Sequence, residues 1–222
     1  MMDFRSLPFV ANATPAGGDP SYLAASYTAA TGSSTAITRP AGATAGDTLC
    51  AFVFATSPNP DPATSSPPTD WTAGTGLDTG GGGARAFFAA GDVSALTFDT
   101  TGAGGVFCFA VRGASSYTHA LTGTYWGDSP GPNFPAPSVT AATGDLVASL
   151  YVQAGGGAGS GVIDGSGFEA DYTRSELENT TEPRYSLLTR ASAPAGATGD
   201  IDHAANDSNY ATRFGLTVAF SA

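Results

Sequence analysis

The stretch AGDTLCAFVFA, Ala45 to Ala55, decides how the chain is read, because a counterpart returns in the second half as TGDLVASLYVQA, Thr143 to Ala154. Each opens on a small residue and Gly-Asp, then turns into an apolar run of strand length. Glycine accepts positive φ and aspartate bonds its own backbone, so the dipeptide marks a chain reversal. A turn followed by a strand, written twice in 222 residues, points to a repeated β unit.

Further landmarks recur in the same order. Ser26-Tyr27-Thr28, Gly46-Asp47, Arg85, Gly91-Asp92 and a strand from Val106 are followed by Ser116-Tyr117-Thr118, Gly144-Asp145, Arg184, Gly199-Asp200 and a strand from Phe214. Two matched turns alone would be weak in so glycine-rich a chain; five landmarks in one order carry more. The expected organisation is an N-terminal arm over residues 1–20 and one domain over 21–222, with a duplication of 21–115 as 116–222. Two such halves would pack face to face, since each needs the other to bury its apolar side.

The runs themselves support strands. RFGLTVAF places Phe214, Leu216, Val218 and Phe220 on one face and Arg213, Gly215, Thr217 and Ala219 on the other. DLVASLYVQ does the same with Leu146, Ala148, Leu150 and Val152 against Val147, Ser149, Tyr151 and Gln153. This alternation predicts half-buried antiparallel strands. TLCAFVFA and GVFCFAV are apolar on both faces, as central strands covered on each side would be. Only TRSELENTTEPR, Thr173 to Arg184, could form a turn or two of helix, and its apolar residues do not recur at helical spacing. Gly-, Pro- and Ser-rich stretches fill the intervals as loops. The fold class expected is all-β: an antiparallel β-sandwich, jelly-roll-like, from two similar halves.

Composition narrows the function classes. Apolar residues make 41% of the chain, and Trp, Tyr and Phe number 2, 8 and 13, a payload that disordered chains lack. The formal net charge is −11, there is no lysine, and the eight arginines are scattered singly from Arg5 to Arg213. Nucleic-acid binding needs clustered cations, so neither a nucleic acid nor an anionic membrane surface is expected as partner. No apolar run reaches the length of a membrane span, and no secretory signal is expected. Cys50 and Cys108 sit inside apolar runs and read as small buried residues rather than a disulfide framework.

No constellation of residues announces catalysis. His119 and His203 are remote from any nucleophile elbow or metalloprotease pair and read as ordinary surface or loop residues. Glu169, Asp171, Glu176, Glu178 and Glu182 crowd one acidic segment that reads as a solvated loop rather than a glycosidase pair. Asp200, Asp202, Asn206 and Asp207 offer hard oxygens without the spacing of a Ca²⁺ loop. Catalytic residues, metal and cofactor are all expected to be absent. Trp71, Tyr117, Tyr125 and Trp126 could stack on sugars, with Tyr125 and Trp126 the candidate glycan contacts.

PAGATAGDTLCAFVFA, Pro40 to Ala55, followed by PPTDWT, Pro67 to Thr72, and VFCFAVRGAS, Val106 to Ser115, resembles a phrase of tailed-bacteriophage structural proteins. There a Pro-Ala start leads to Gly-Asp-x-Leu, a strand and Pro-x-x-Trp-Thr, over roughly residues 35 to 155 of this chain. Asp70 stands where the glycine of Gly-Trp-Thr is usual. The resemblance implies a β-sandwich module that decorates a head or builds a tail, located in the virion and assembled in the host cytoplasm. Its partners would be a major capsid or tail protein and further copies of itself, a trimer being the first expectation. The arm MMDFRSLPFV would attach it, with Phe4, Leu7, Phe9 and Val10 as apolar anchors. The competing expectation is a carbohydrate-binding or host-adhesion module of a tail or fibre.

Overall fold

The computed structural model describes residues 18–30, 32–56, 62, 65–100, 104–124, 135–154, 162–163, 168–178, 183–203, 205–206 and 212–222. The first half carries β1 (Ser21–Ala29), β2 (Ser34–Ala36), β3 (Asp47–Ala55), β4 (Thr72–Asp78), β5 (Gly83–Ala90), β6 (Thr97–Asp99) and β7 (Gly104–Arg112). The second carries β8 (Ser116–Thr124), β9 (Thr140–Ala141), β10 (Leu146–Ala154), β11 (Val162–Ile163), β12 (Thr173–Glu178), β13 (Arg184–Arg190), β14 (Gly196–Ala197), β15 (Ala205–Asn206) and β16 (Thr212–Ser221). Of the segment with some helical character, Thr173–Glu178 is strand β12, paired to β13. Edge pairing beside a formed strand outweighs the weak helix propensity of its polar residues.

Each half writes one whole antiparallel sheet. The first has the order β1-β7-β3-β5-β4 and the second β12-β13-β10-β16-β8. When only the five sheet strands of each half are counted in chain order, the second order is the first read backwards, so the two sheets share one topology. The small ladders agree as well: β2 pairs β6, and β9 pairs β14 in the corresponding place. An irregularity between Ala73 and Gly76 on β4 recurs between Arg174 and Glu176 on β12. The all-β sandwich of two similar halves is thus present, and its non-sequential strand order is jelly-roll-like.

The repeated Gly-Asp is one turn made twice. Asp47 Oδ2 accepts the Thr44 N–H at 2.7 Å, and Asp145 Oδ2 accepts the Ala142 N–H at 2.7 Å. The carbonyl of Asp47 accepts the Gly91 N–H, and that of Asp145 accepts the Ala193 N–H, each at 2.8 Å. Hydrogen bonding therefore matches Gly91 with Ala193, not with Gly199. The ladders likewise match Ser21-Tyr22, not Ser26-Tyr27, with Ser116-Tyr117: Tyr22 pairs Val111, and Tyr117 pairs Phe220.

Aromatic residues from the two sheets meet in the interior. Phe54 of β3 lies 6.4 Å from Phe214 of β16, Phe107 of β7 meets Tyr185 of β13 at 4.9 Å, and Phe88 of β5 stacks on Tyr117 of β8 at 3.8 Å. Leu150, Val152, Leu187, Leu216 and Val218 fill the opposing side. The outer face of the first sheet is also apolar, and Ile37, Trp71, Val93 and Phe98 cover it. Trp71 Nε1 donates to the Ala95 carbonyl at 2.6 Å. Cys50 belongs to the inner layer and Cys108 to the outer one, so the sheet itself separates them and both thiols are free.

The second sheet differs from the sequence reading. β10 and β16 were expected to be half-buried, yet nine consecutive residues of each are buried. Ala136, Val139, Tyr172, Ala193 and Ile201 lie over Val147, Leu188 and Ala219. Their approach is close: a Cβ at Gly215 would stand 2.8 Å from Ala136 Cα. Asp70 has φ 67°, the left-handed region that glycine occupies freely and other residues rarely adopt.

Two predictions follow from the turns. Removal of either side chain, Asp47→Ala or Asp145→Ala, leaves a backbone donor unsatisfied and lowers stability by about 1–2 kcal/mol. Asp47→Ala is the costlier, because Asp47 also accepts from Thr44 Oγ1 at 2.9 Å and pairs with Arg112 at 3.1 Å. Urea-unfolding midpoints check the ranking, and the reverse order would refute it. At Asp70, a β-branched residue costs about 1–2 kcal/mol while glycine is accepted; equal midpoints for Asp70→Val and Asp70→Gly would count against the strained position.

Candidate functional site

The outer side of the second sheet carries the largest set of buried polar groups. Strand alternation that points Leu146, Leu150 and Val152 inward points Ser149, Tyr151 and Gln153 outward, beside Thr217 and Arg213 of β16 and Ser186 of β13. All six are buried, together with His203. Buried polar groups destabilise a fold unless they are bonded, and here Ser149 bonds His203 and Thr217 while Tyr151 bonds Gln153.

Ser149 Oγ lies 2.8 Å from His203 Nε2 and 3.4 Å from Thr217 Oγ1. Tyr151 donates its hydroxyl to Gln153 Oε1 at 3.4 Å, and its ring lies 5.8 Å from that of His203. Arg174 donates to the His203 carbonyl at 3.1 Å and lies 4.5 Å over the ring of Phe168. Burial, with the nearby Arg174 cation, pushes the His203 pKa down to about 3. The imidazole is therefore neutral at physiological pH and exchanges one hydrogen bond with Ser149.

A hydroxyl 2.8 Å from an imidazole nitrogen is the spacing of a nucleophile and its base. Acyl transfer needs two more things: a carboxylate that orients the far ring nitrogen, and room for a substrate. Among the described residues no group bonds His203 Nδ1, and Ser149 and His203 are both fully buried. The pair pins residues 200–203 onto β10.

Hydrogen bonds close both open sides of the sandwich. On one, Tyr22 of β1 donates to Glu176 Oε1 of β12 at 2.5 Å. Burial, then this bond and the Glu176 charge, hold the Tyr22 phenol far above its usual pKa. On the other, the Thr75 N–H of β4 donates to His119 Nε2 of β8 at 2.8 Å, and burial lowers the His119 pKa. At one end of the sandwich, Gly18, Asp19, Ser21, Thr44, Gly46 and Gly113 line a shallow cleft of about 430 Å³ with the Asp47–Arg112 ion pair.

The residues singled out from sequence fall into three groups. Phe4, Leu7, Phe9, Val10, Tyr125 and Trp126 lie outside the described residues, as do Glu182 and Asp207. Trp71 and Tyr117 are packing residues, the first in the outer cluster and the second against Phe88. In the acidic segment Glu176 holds Tyr22, and Asp171 pairs with Arg190 at 3.0 Å. His203 is a core residue rather than a surface one. Among the described residues no group of three or more His, Cys, Asp or Glu side chains is placed to hold a metal.

The histidines set a pH dependence. A histidine whose folded pKa is depressed stabilises the fold fully above its unfolded value of about 6.5, and that stability is lost as pH falls toward the folded value. For His203 the window runs from about 6.5 down to about 3. The wild type should lose stability over that range more steeply than His203→Gln, by up to about 1.4 kcal/mol per pH unit. Urea unfolding at stepped pH tests this; an NMR titration of the folded His203 ring near pH 6.5 would refute it.

No protein-family model, no curated protein and no solved structure matches the chain.

Proposed function

We propose that the protein is a non-enzymatic structural component of a bacteriophage virion, seated on the outer surface of the head or an appendage. The supporting observation is where its chemically versatile side chains go. Trp71, Tyr117, His119, Glu176 and His203 are each engaged in packing or bonding within the sandwich. What faces outward is an acidic surface with four edge strands, β1, β4, β8 and β12. Leu177, on edge strand β12, is the one exposed large apolar residue among those described. Such a body suits a part repeated many times on a particle: the charge keeps copies soluble, and contacts are left to edges and termini.

The phrase that resembles phage structural proteins supports the same reading. In this chain its residues build the Asp47 turn, strand β3 and the Trp71 wedge, so it describes a fold. In this proposal Phe4, Leu7, Phe9 and Val10 anchor the protein to a capsid or tail protein, and copies associate with one another.

Quantitative mass spectrometry of purified particles is the direct test. A copy number in the hundreds is expected for head decoration and a handful for a tail part; absence from particles overturns the proposal. Deletion of residues 1–10 should lower occupancy at least tenfold without changing the unfolding midpoint. Saturable binding on a glycan array, lost in Trp126→Ala, would favour the adhesion module instead.

A further inference from the structure

We infer that the two halves of the chain are a matched pair: the inner face of residues 18–112 recognises that of residues 116–222 in preference to a copy of itself, and the residues joining them are not needed to hold them together. The partner of each half can therefore also come from a second copy of this chain.

The reason lies in side-chain size at equivalent positions. With Asp47 and Asp145 as a common origin, the ladders set Phe52 and Phe54 equivalent to Leu150 and Val152, and Phe107 and Phe109 to Leu216 and Val218. Elsewhere on the inner face the exchange runs the other way: Ala84 and Ala86 of β5 correspond to Tyr185 and Leu187 of β13, and Gly105 of β7 to Phe214 of β16. Where one half is bulky, the other is small. A first half paired with itself would set Phe54 and Phe107 against Gly105 and Ala84 in place of the Phe214 and Tyr185 rings they now meet. A second half paired with itself would set Phe214 and Tyr185 against Val152 and Leu216 in place of the Phe54 and Phe107 rings, so either self-pair forfeits the ring contacts of the mixed one.

The edge bonds discriminate in the same sense. By the shared irregularity, Gly74 and Thr75 correspond to Ser175 and Glu176. In a doubled first half, Tyr22 would find the threonine rather than the carboxylate that accepts its hydrogen bond. In a doubled second half, His119 would meet a serine where it now meets Gly74, and a Cβ there stands 2.7 Å from Nε2. Each self-pairing loses a bond or gains a clash, which is how an interface rejects a wrong partner. The joining residues Gly113, Ala114 and Ser115 contribute little by comparison: Ser115 N–H donates to the Ser221 carbonyl at 2.8 Å, and the Ala114 carbonyl accepts from Thr48 at 3.4 Å.

The test uses the full chain with a protease recognition sequence inserted between Gly113 and Ala114. Before cleavage it should fold like the wild type; failure to fold would overturn the claim that the joint is dispensable. After cleavage the fragments should co-elute as a one-to-one pair at micromolar concentration. Unfolded in urea and diluted together, they should give the mixed pair over either self-pair by at least tenfold in native mass spectrometry. Separation of the fragments, or a statistical mixture of self-pairs and mixed pairs, would refute the inference. Gly74→Ser should raise the dissociation constant of the cleaved pair at least tenfold. The same change at Gly32, which has nothing within 4 Å, should leave it unaltered; equal effects at the two sites would also refute it.

Discussion

The contact between Phe52, Phe54, Phe107 and Phe109 on one side and Phe214, Leu150, Leu216 and Val218 on the other governs the rest of the molecule. A single five-stranded sheet with such a face cannot stay in water, because the apolar area left exposed would be too large. Once the faces meet, strand order, edge closure and the placing of loops follow. The bonds from Tyr22 to Glu176 and from Thr75 to His119 seal the flanks of a contact that is already apolar at its centre.

Each sheet is also covered on its outside, by means that differ in kind. The first wears an apolar layer in which Trp71 and Phe98 pack edge to face at 4.9 Å. The second wears a mixed layer, apolar around Val147 and Ala219 and hydrogen-bonded around Ser149 and His203. Apolar contacts tolerate small shifts, whereas a bonded pair fixes direction. The covering segment of the second half is thus held in one register by Ser149, and that of the first by shape.

The likeness of the two halves was readable in sequence because Gly-Asp does the same backbone task at both places. The finer correspondence was not: Ser26-Tyr27-Thr28 looks like Ser116-Tyr117-Thr118, yet the ladder pairs the latter with residues from Ser21. Short polar words recur by composition, while ladder register depends on partners far along the chain. Alternation on β10 and β16 correctly gave the inward residues. It could not show that the polar side was covered, because the cover comes from residues 136–139, 168–172 and 201–203, whose own patterns read as loops. His203 was misplaced for that reason. The candidate attachment and glycan residues lie outside the described parts and rest on sequence alone.

The two thiols sit on opposite sides of one sheet, and burial raises the pKa of each far above its ordinary value. Neither is a thiolate in the folded protein, so oxidants and alkylating reagents meet an inert surface. The fold is consequently indifferent to the redox state of its surroundings and can pass from a reducing cell interior to an oxidising exterior unchanged. Each cysteine also becomes a built-in reporter of a different event: Cys108 reacts when the outer cover lifts from the first sheet, and Cys50 only when the two sheets part.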